Sequence, residues 1–90
     1  MIVEFSAGAL RQIDAILAHV AARSPQGAGR IEARIRAAAR LIEDHPQAGT
    51  PTDRQGVRRV VLNPFPYALF YREVGGRIVV QRIRHTARRV

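Results

Sequence analysis

The chain has no cysteine and no lysine, and only 7 of its 90 residues are acidic. Without Cys there is no disulfide, no thiolate metal site and no thiol nucleophile. Long apolar runs are also missing, and none approaches the ~20 residues that a membrane-spanning helix requires. The opening Met1-Ile2-Val3-Glu4-Phe5 carries an acid where a signal peptide has a basic start. A cytoplasmic protein without membrane association is expected. Glycine-rich phosphate loops, carboxylate pairs and nucleophile motifs are absent too, which excludes most enzyme classes, and no cofactor is expected. The three histidines, His19, His45 and His85, stand too far apart for metal-ligand spacing.

What the chain does contain is arginine. All 15 basic residues are Arg, and the formal charge is +8. Such a surplus predicts an acidic partner, either nucleic acid or an acidic protein segment. Arg suits forked contacts to carboxylate or phosphate and tolerates partial burial. A hydrophobic content of 47% argues for a packed core. Ninety residues fit one domain, 1–90, which buries only about 60–65% of its unfolded surface. A bound partner therefore adds substantially to its stability.

Along the chain, Ile2-Val3-Glu4-Phe5 reads as a short strand and Ser6 as the N-cap of a helix from Ala7 to about Arg23. Leu10, Ile13, Leu17 and Val20 recur at helical spacing and form its apolar stripe. A second helix is expected from Pro25 or Gln26 to His45, with Ile31, Ile35, Ala38 and Ile42 facing the core and Leu41 widening the stripe. Glu32–Arg36 and Arg40–Asp44 are i,i+4 pairs on its exposed side. The segment from His45 to Pro51 ends helical structure, and strands follow at Val57–Leu62, Tyr67–Val74 and Arg77 to about His85. Asn63-Pro64-Phe65-Pro66 is a connector, and Gly75-Gly76 is a hairpin turn. The expected fold is α+β, with an N-terminal strand, a helical hairpin and a three-stranded antiparallel sheet in the order β-α-α-β-β-β.

Uninterrupted pairing about Gly75-Gly76 sets Tyr71 opposite Val80 and Leu69 opposite Arg82. One face then carries Tyr67, Leu69, Tyr71, Ile78, Val80, Arg82 and Arg84, and the other carries Ala68, Phe70, Arg72, Val79, Gln81, Ile83 and His85. Both faces are substantially apolar, yet the chain supplies one helical layer. One face is therefore expected to be covered by another chain. A shift of register by one residue would shrink this two-sidedness.

These residues resemble the ParE/RelE toxin superfamily over nearly the full length. The matching segments are Ala9-Leu10-Arg11-Gln12-Ile13-Asp14-Ala15-Ile16, His45-Pro46-Gln47-Ala48-Gly49, Gly56-Val57-Arg58-Arg59, Pro66-Tyr67 and Phe70-Tyr71-Arg72. They continue with Ile78 to Arg84 and the ending His85-Thr86-Ala87-Arg88. The resemblance implies the toxin of a type II toxin–antitoxin system, bound by an acidic and partly disordered antitoxin tail. The long helices and the ending look closer to the ParE-like branch, whose members inhibit DNA gyrase. RelE-like members instead cut messenger RNA on the ribosome. A toxin-free alternative is a basic binding module.

Metal-free RNA cleavage needs an activated 2′-hydroxyl, a protonated leaving group and a stabilised phosphorane. RelE-like sites use Lys, Arg and a C-terminal Tyr. This chain has no Lys, and Ala68 stands where many family nucleases carry Arg. The remaining candidates for a nuclease are His85, Arg84, Arg88 and Tyr71. A histidine at a strand end is more often a hydrogen-bonding end-cap than a catalyst, and His85 also reads that way. The residues expected to contact an antitoxin or a target are Tyr67, Leu69, Tyr71, Arg58, Arg59, Arg82, Arg84 and Arg88.

Overall fold

The computed structural model describes residues 1–87. The elements run β1 (Val3–Phe5), α1 (Ala7–Ala21), α2 (Pro25–Asp44), β2 (Thr50–Pro51), β3 (Arg58–Val61), β4 (Tyr67–Val74) and β5 (Arg77–His85). Two serines start the helices. Ser6 has extended backbone and its Oγ accepts from Ala9 N at 3.0 Å, while Ser24 Oγ accepts from Gly27 N at 2.9 Å with Pro25 following at the first helical position. His45 caps the end of α2, its N–H donating to Leu41 O.

Ile31, Ile35, Ala38 and Ile42 of α2 are buried, as their spacing requires. Leu41 lies off that stripe and is 41% exposed. In α1 the stripe is turned from the expected one. Ala9 and Ile13 are buried, Ile16, Leu17 and Val20 pack beside them, and Leu10 is 49% exposed. The small side chain of Ala9 lets the start of α1 lie close against the sheet, which turns Leu10 outward. Glu32 and Arg36 form the exposed ion pair of α2 at 2.9 Å, where solvent leaves it little weight.

The sheet has five strands in the order β1-β5-β4-β3-β2, rather than the three expected. β1 adds to one edge parallel to β5, pairing Val3 with Ile78 and Phe5 with Val80. Thr50 and Pro51 add a two-residue strand at the other edge. Short edges, with Pro on one of them, discourage pairing with foreign strands. The β4–β5 hairpin turns on Gly75 and Gly76, whose φ values of 57° and 80° are the positive angles that a two-residue turn of this hand needs.

The hairpin begins in the expected register, with Val74 opposite Arg77 and Tyr71 opposite Val80. A β-bulge then intervenes. Phe70 pairs with Arg82, Leu69 with Ile83, Ala68 with Arg84 and Tyr67 with His85, so Gln81 has no partner on β4. Leu69 therefore faces Ile83 and not Arg82. Every β5 residue beyond Gln81 changes face relative to unbroken pairing. Ser6 Oγ donates to the bulged Gln81 O at 3.1 Å, and Gln12 Oε1 accepts from Ile83 N at 2.9 Å, so α1 holds the bulge in place.

The core lies between the helices and one sheet face. Its sheet side consists of Val60, Leu62, Leu69, Tyr71, Ile78, Val80 and Ile83. Tyr71 is the largest fully buried side chain. Its hydroxyl donates to Pro46 O at 2.8 Å and accepts from Gly49 N at 2.9 Å. Arg58 Nη1 donates to Gly49 O at 2.8 Å from the neighbouring strand. A Cβ on Gly49 would stand 2.8 Å from the Tyr71 hydroxyl, which explains the glycine there. The loop after α2 is thus fastened to β4 and β3.

Two expectations follow from these contacts. Tyr71→Phe leaves a buried N–H and a carbonyl short of a partner. It should lower the unfolding free energy by about 1–3 kcal/mol in a urea titration, with an unchanged slope. Deletion of Gln81 should retain the native near-ultraviolet circular dichroism, because it removes only the extra residue and leaves Arg82 opposite Phe70 and Ile83 opposite Leu69; loss of the native spectrum would refute the register described.

Candidate functional site

Both helices cover one face of the sheet, and the bulge decides what the other face carries. Its residues lie in cross-strand rows that follow from the pairing. The central row is Thr50, Arg59, Phe70 and Arg82 on β2, β3, β4 and β5. The next, towards the end of β5, is Val61, Ala68 and Arg84. On the other side stand Arg72, Val79 and Glu4. Val61, Phe70 and Val79 are only half-buried. This face therefore keeps a narrow apolar strip bordered by guanidinium groups, an arrangement that marks a contact surface.

The charges on the strip are unevenly balanced. Glu4 pairs with Arg77 at 3.3 Å near the β1 edge. Around the central row the arginines crowd one another. Burial, then the charges of Arg84 and Arg54, push the Arg82 guanidinium below its ordinary pKa, while Asp53 opposes them. Arg nonetheless stays protonated at any physiological pH. The crowding is a standing repulsion that an incoming anion would relieve. The Arg82 guanidinium lies 4.6 Å from the centre of the Phe70 ring, a cation–π contact that fixes its position. Arg84 Nε is buried without an acceptor among the described residues.

The structure sorts the expected contact residues. Arg59, Arg82 and Arg84 share the open face with one another. Leu69 and Tyr71 do not reach it: they are 0% and 2% exposed in the core, because both point toward the helices. Arg58 pairs with Tyr71 on the helix side and is spent on the carbonyls of Gly49 and Gln47. Tyr67 also lies on the helix side, where it packs against the core cluster. Arg88 lies outside the described residues. Phe70, at the centre of the open face, was missed as a contact residue. The signal was present: Ile78 and Val80 keep a spacing of two, whereas Ile83 follows Val80 by three, the phase slip that a bulge produces.

Among the described residues, Tyr71 stands apart from the other nuclease candidates. Arg84 and His85 are strand neighbours and project to opposite faces. Tyr71 is buried with its hydroxyl doubly engaged, and it stands opposite Val80, whereas His85 stands opposite Tyr67. The His85 ring meets Tyr67 edge-on at 5.4 Å, and its Nδ1 accepts from Ala87 N at 3.1 Å, the bonding expected of a strand end. His85, Arg84, Tyr67, Ile83, Gln12, Ala15, Ile16 and His19 line a groove of about 660 Å³ between α1 and the end of β5. Among the described residues no three His, Cys, Asp or Glu side chains gather as metal ligands, and no helix is long and apolar enough to cross a membrane.

Comparison with known proteins agrees with this architecture. The family model for the ParE toxin of the type II toxin–antitoxin system parDE matches residues 3–90. A protein of Sinorhizobium fredii named "Putative toxin Y4kP" is 33% identical over 70 residues, which cover 78% of this chain and 73% of that one. Among solved structures, a chain of the chromosomal ParDE TA system from P. aeruginosa superposes with a TM-score of 0.82 at 25% identity, covering 94% of this chain and 95% of the other. Its strand–helix–helix–sheet architecture, a family model spanning nearly its whole length and this likeness in fold place the chain in the ParE toxin family of type II toxin–antitoxin systems.

Proposed function

We propose that this chain is a toxin kept neutral by an acidic antitoxin segment and that, once released, it inhibits DNA gyrase. The observation that carries the antitoxin half is the open sheet face, where Arg59, Phe70 and Arg82 stand in one row with Arg84 beside them. An amphipathic acidic tail satisfies both parts of that surface. Its apolar residues cover Phe70, Val61 and Val79, and its carboxylates offset the crowded guanidinium groups. The solved relative, which belongs to a ParDE toxin–antitoxin system, supports a partner of this kind. Such a tail loses conformational entropy on binding, and burial of the strip together with relief of the Arg repulsion offsets that loss.

The gyrase half is supported by membership of the ParE family and by the dispersal of the nuclease candidates across two faces and the core. A toxin that acts by occupying a target needs a shaped surface more than an acid–base pair.

Expression without an antitoxin should arrest bacterial growth, and purified protein should inhibit gyrase supercoiling in vitro. Site-specific cuts in ribosome-bound message, with gyrase unaffected, would replace this reading with the nuclease one. Normal growth at high soluble expression would count against a toxin altogether. Combined Arg59→Glu and Arg82→Glu should weaken capture of the co-encoded antitoxin by at least about tenfold, read by calorimetry, since each introduced carboxylate repels the acidic tail.

A further inference from the structure

We infer that the open sheet face is also a binding site for single-stranded nucleic acid, with Phe70 as a base-stacking platform and Arg59, Arg82 and Arg84 as phosphate ligands. The inference rests on the reading of this face as the contact surface of the toxin, and it names a ligand class that the same face takes when no acidic tail covers it.

Three features favour a nucleic-acid strand. The first is the row itself. Phe70 sits on β4, the middle strand of five, with Arg59 directly across on β3 and Arg82 directly across on β5. An aromatic ring at the centre of an open sheet, flanked on both sides by guanidinium groups, offers a base a face to stack on and its backbone a cation on either side. Arg82 lies over the ring, 4.6 Å from its centre, so a base either stacks on the guanidinium plane that Phe70 supports or takes its place on the ring as Arg82 turns to a phosphate.

The second feature is the supply of donors. Arg82 and Arg84 are two residues apart on the same face of β5, so their stems are spaced by roughly 6.6 Å along the strand. They can therefore serve successive phosphates. Burial disfavours the charged form of Arg82 most, and the charges of Arg84 and Arg54 add to it; a phosphate offsets the part that comes from those charges. Ala68, the small residue in the row beside Phe70, leaves the Arg84 side chain free of a bulky cross-strand neighbour on β4.

The third feature is shape, which separates single strands from duplex. The four strands of the Phe70 row, at ~4.8 Å spacing, make a face roughly 14 Å across. The major groove of B-form DNA is only about 12 Å wide and admits a helix or a two-stranded ribbon. The flat face cannot enter it, and Phe70 would meet no base edge there. A single strand can splay its bases onto the sheet.

The test is fluorescence anisotropy on the full chain with a labelled 12-nucleotide DNA strand of mixed sequence. Its RNA counterpart, its duplex and a strand of the same length lacking bases are the comparison probes. The single strand should bind about tenfold tighter than either the duplex or the base-free strand. DNA and RNA results then tell which strand is preferred. Phe70→Leu should lose about tenfold, whereas Phe70→Tyr, which keeps the ring, should bind as the parent does. Arg59→Ala and Arg82→Ala should each flatten the log–log salt slope by about 0.7, and Arg30→Ala and Arg40→Ala on the helix α2 should leave it unchanged. Equal binding of duplex, of the base-free strand, or of a polyglutamate peptide of matched charge overturns the inference. So does an equal effect of the helix and sheet arginines. Growth arrest measured on the same variants separates the two readings: a chain that arrests growth but fails these binding criteria leaves the toxin reading standing and removes only this one.

Discussion

Gln81 stands unpaired on β5, and α1 keeps it there. Ser6 does two things with one hydroxyl: it accepts from Ala9 N to start the helix and donates to the bulged carbonyl of Gln81. Six residues on, Gln12 accepts from Ile83 N, beyond the last β5 residue that β1 pairs. The first helix thus completes an edge that a three-residue strand leaves bare. With that bond made, Ile83 turns inward beside Leu69, and Arg82 and Arg84 turn outward. Without it, β5 would offer guanidinium groups to the core, where no acceptor waits for them.

The two faces of the sheet follow from this one displaced residue. The centre of the inner face is apolar, because Leu69, Tyr71, Ile78, Val80 and Ile83 meet the α2 stripe and the base of α1, while Arg58 and His85 lie at its margins. The outer face gathers like charge around a strip of Val61, Phe70 and Val79. A domain of this size can tolerate such a surface only because the repulsion is modest in water and part of the charge is offset locally, by Glu4 against Arg77 and by Asp53 near Arg82. The residual imbalance couples stability to binding. Any anionic partner that occupies the outer face removes repulsion that exists only in the folded sheet, and so stabilises the fold it binds.

Residues that look functional in the chain divide by orientation. Tyr71 and Arg58 belong to a family-like segment, yet both serve the loop after α2. The hydroxyl of Tyr71 and the guanidinium of Arg58 converge on Gly49 from two strands, and Gly49 has no Cβ because the phenol occupies that space. His85 ends its strand by bonding Ala87 and packing on Tyr67. These contacts shape the framework. Arg59, Phe70, Arg82 and Arg84 are left facing outward, on the surface proposed to meet a partner.

The chain by itself determined its helices, its hairpin turn, its charge and its family likeness, because each depends on neighbours within a few residues. Ser6 and Pro25 mark helix starts locally, Ile31, Ile35, Ala38 and Ile42 share a face through helical pitch alone, and Gly75-Gly76 closes a turn without outside help. Tertiary structure alone decided that β1 lies parallel against β5, that Thr50 and Pro51 form an edge, and that Gln81 steps out of register. The last of these is held by contacts with residues 71 and 75 positions away, at Gln12 and Ser6. A local pattern of alternation cannot register a side chain that arrives from the far end of the chain. The identity of the outward face, and with it the replacement of Leu69 and Tyr71 by Phe70 in the contact surface, depended on that distant hydrogen bonding.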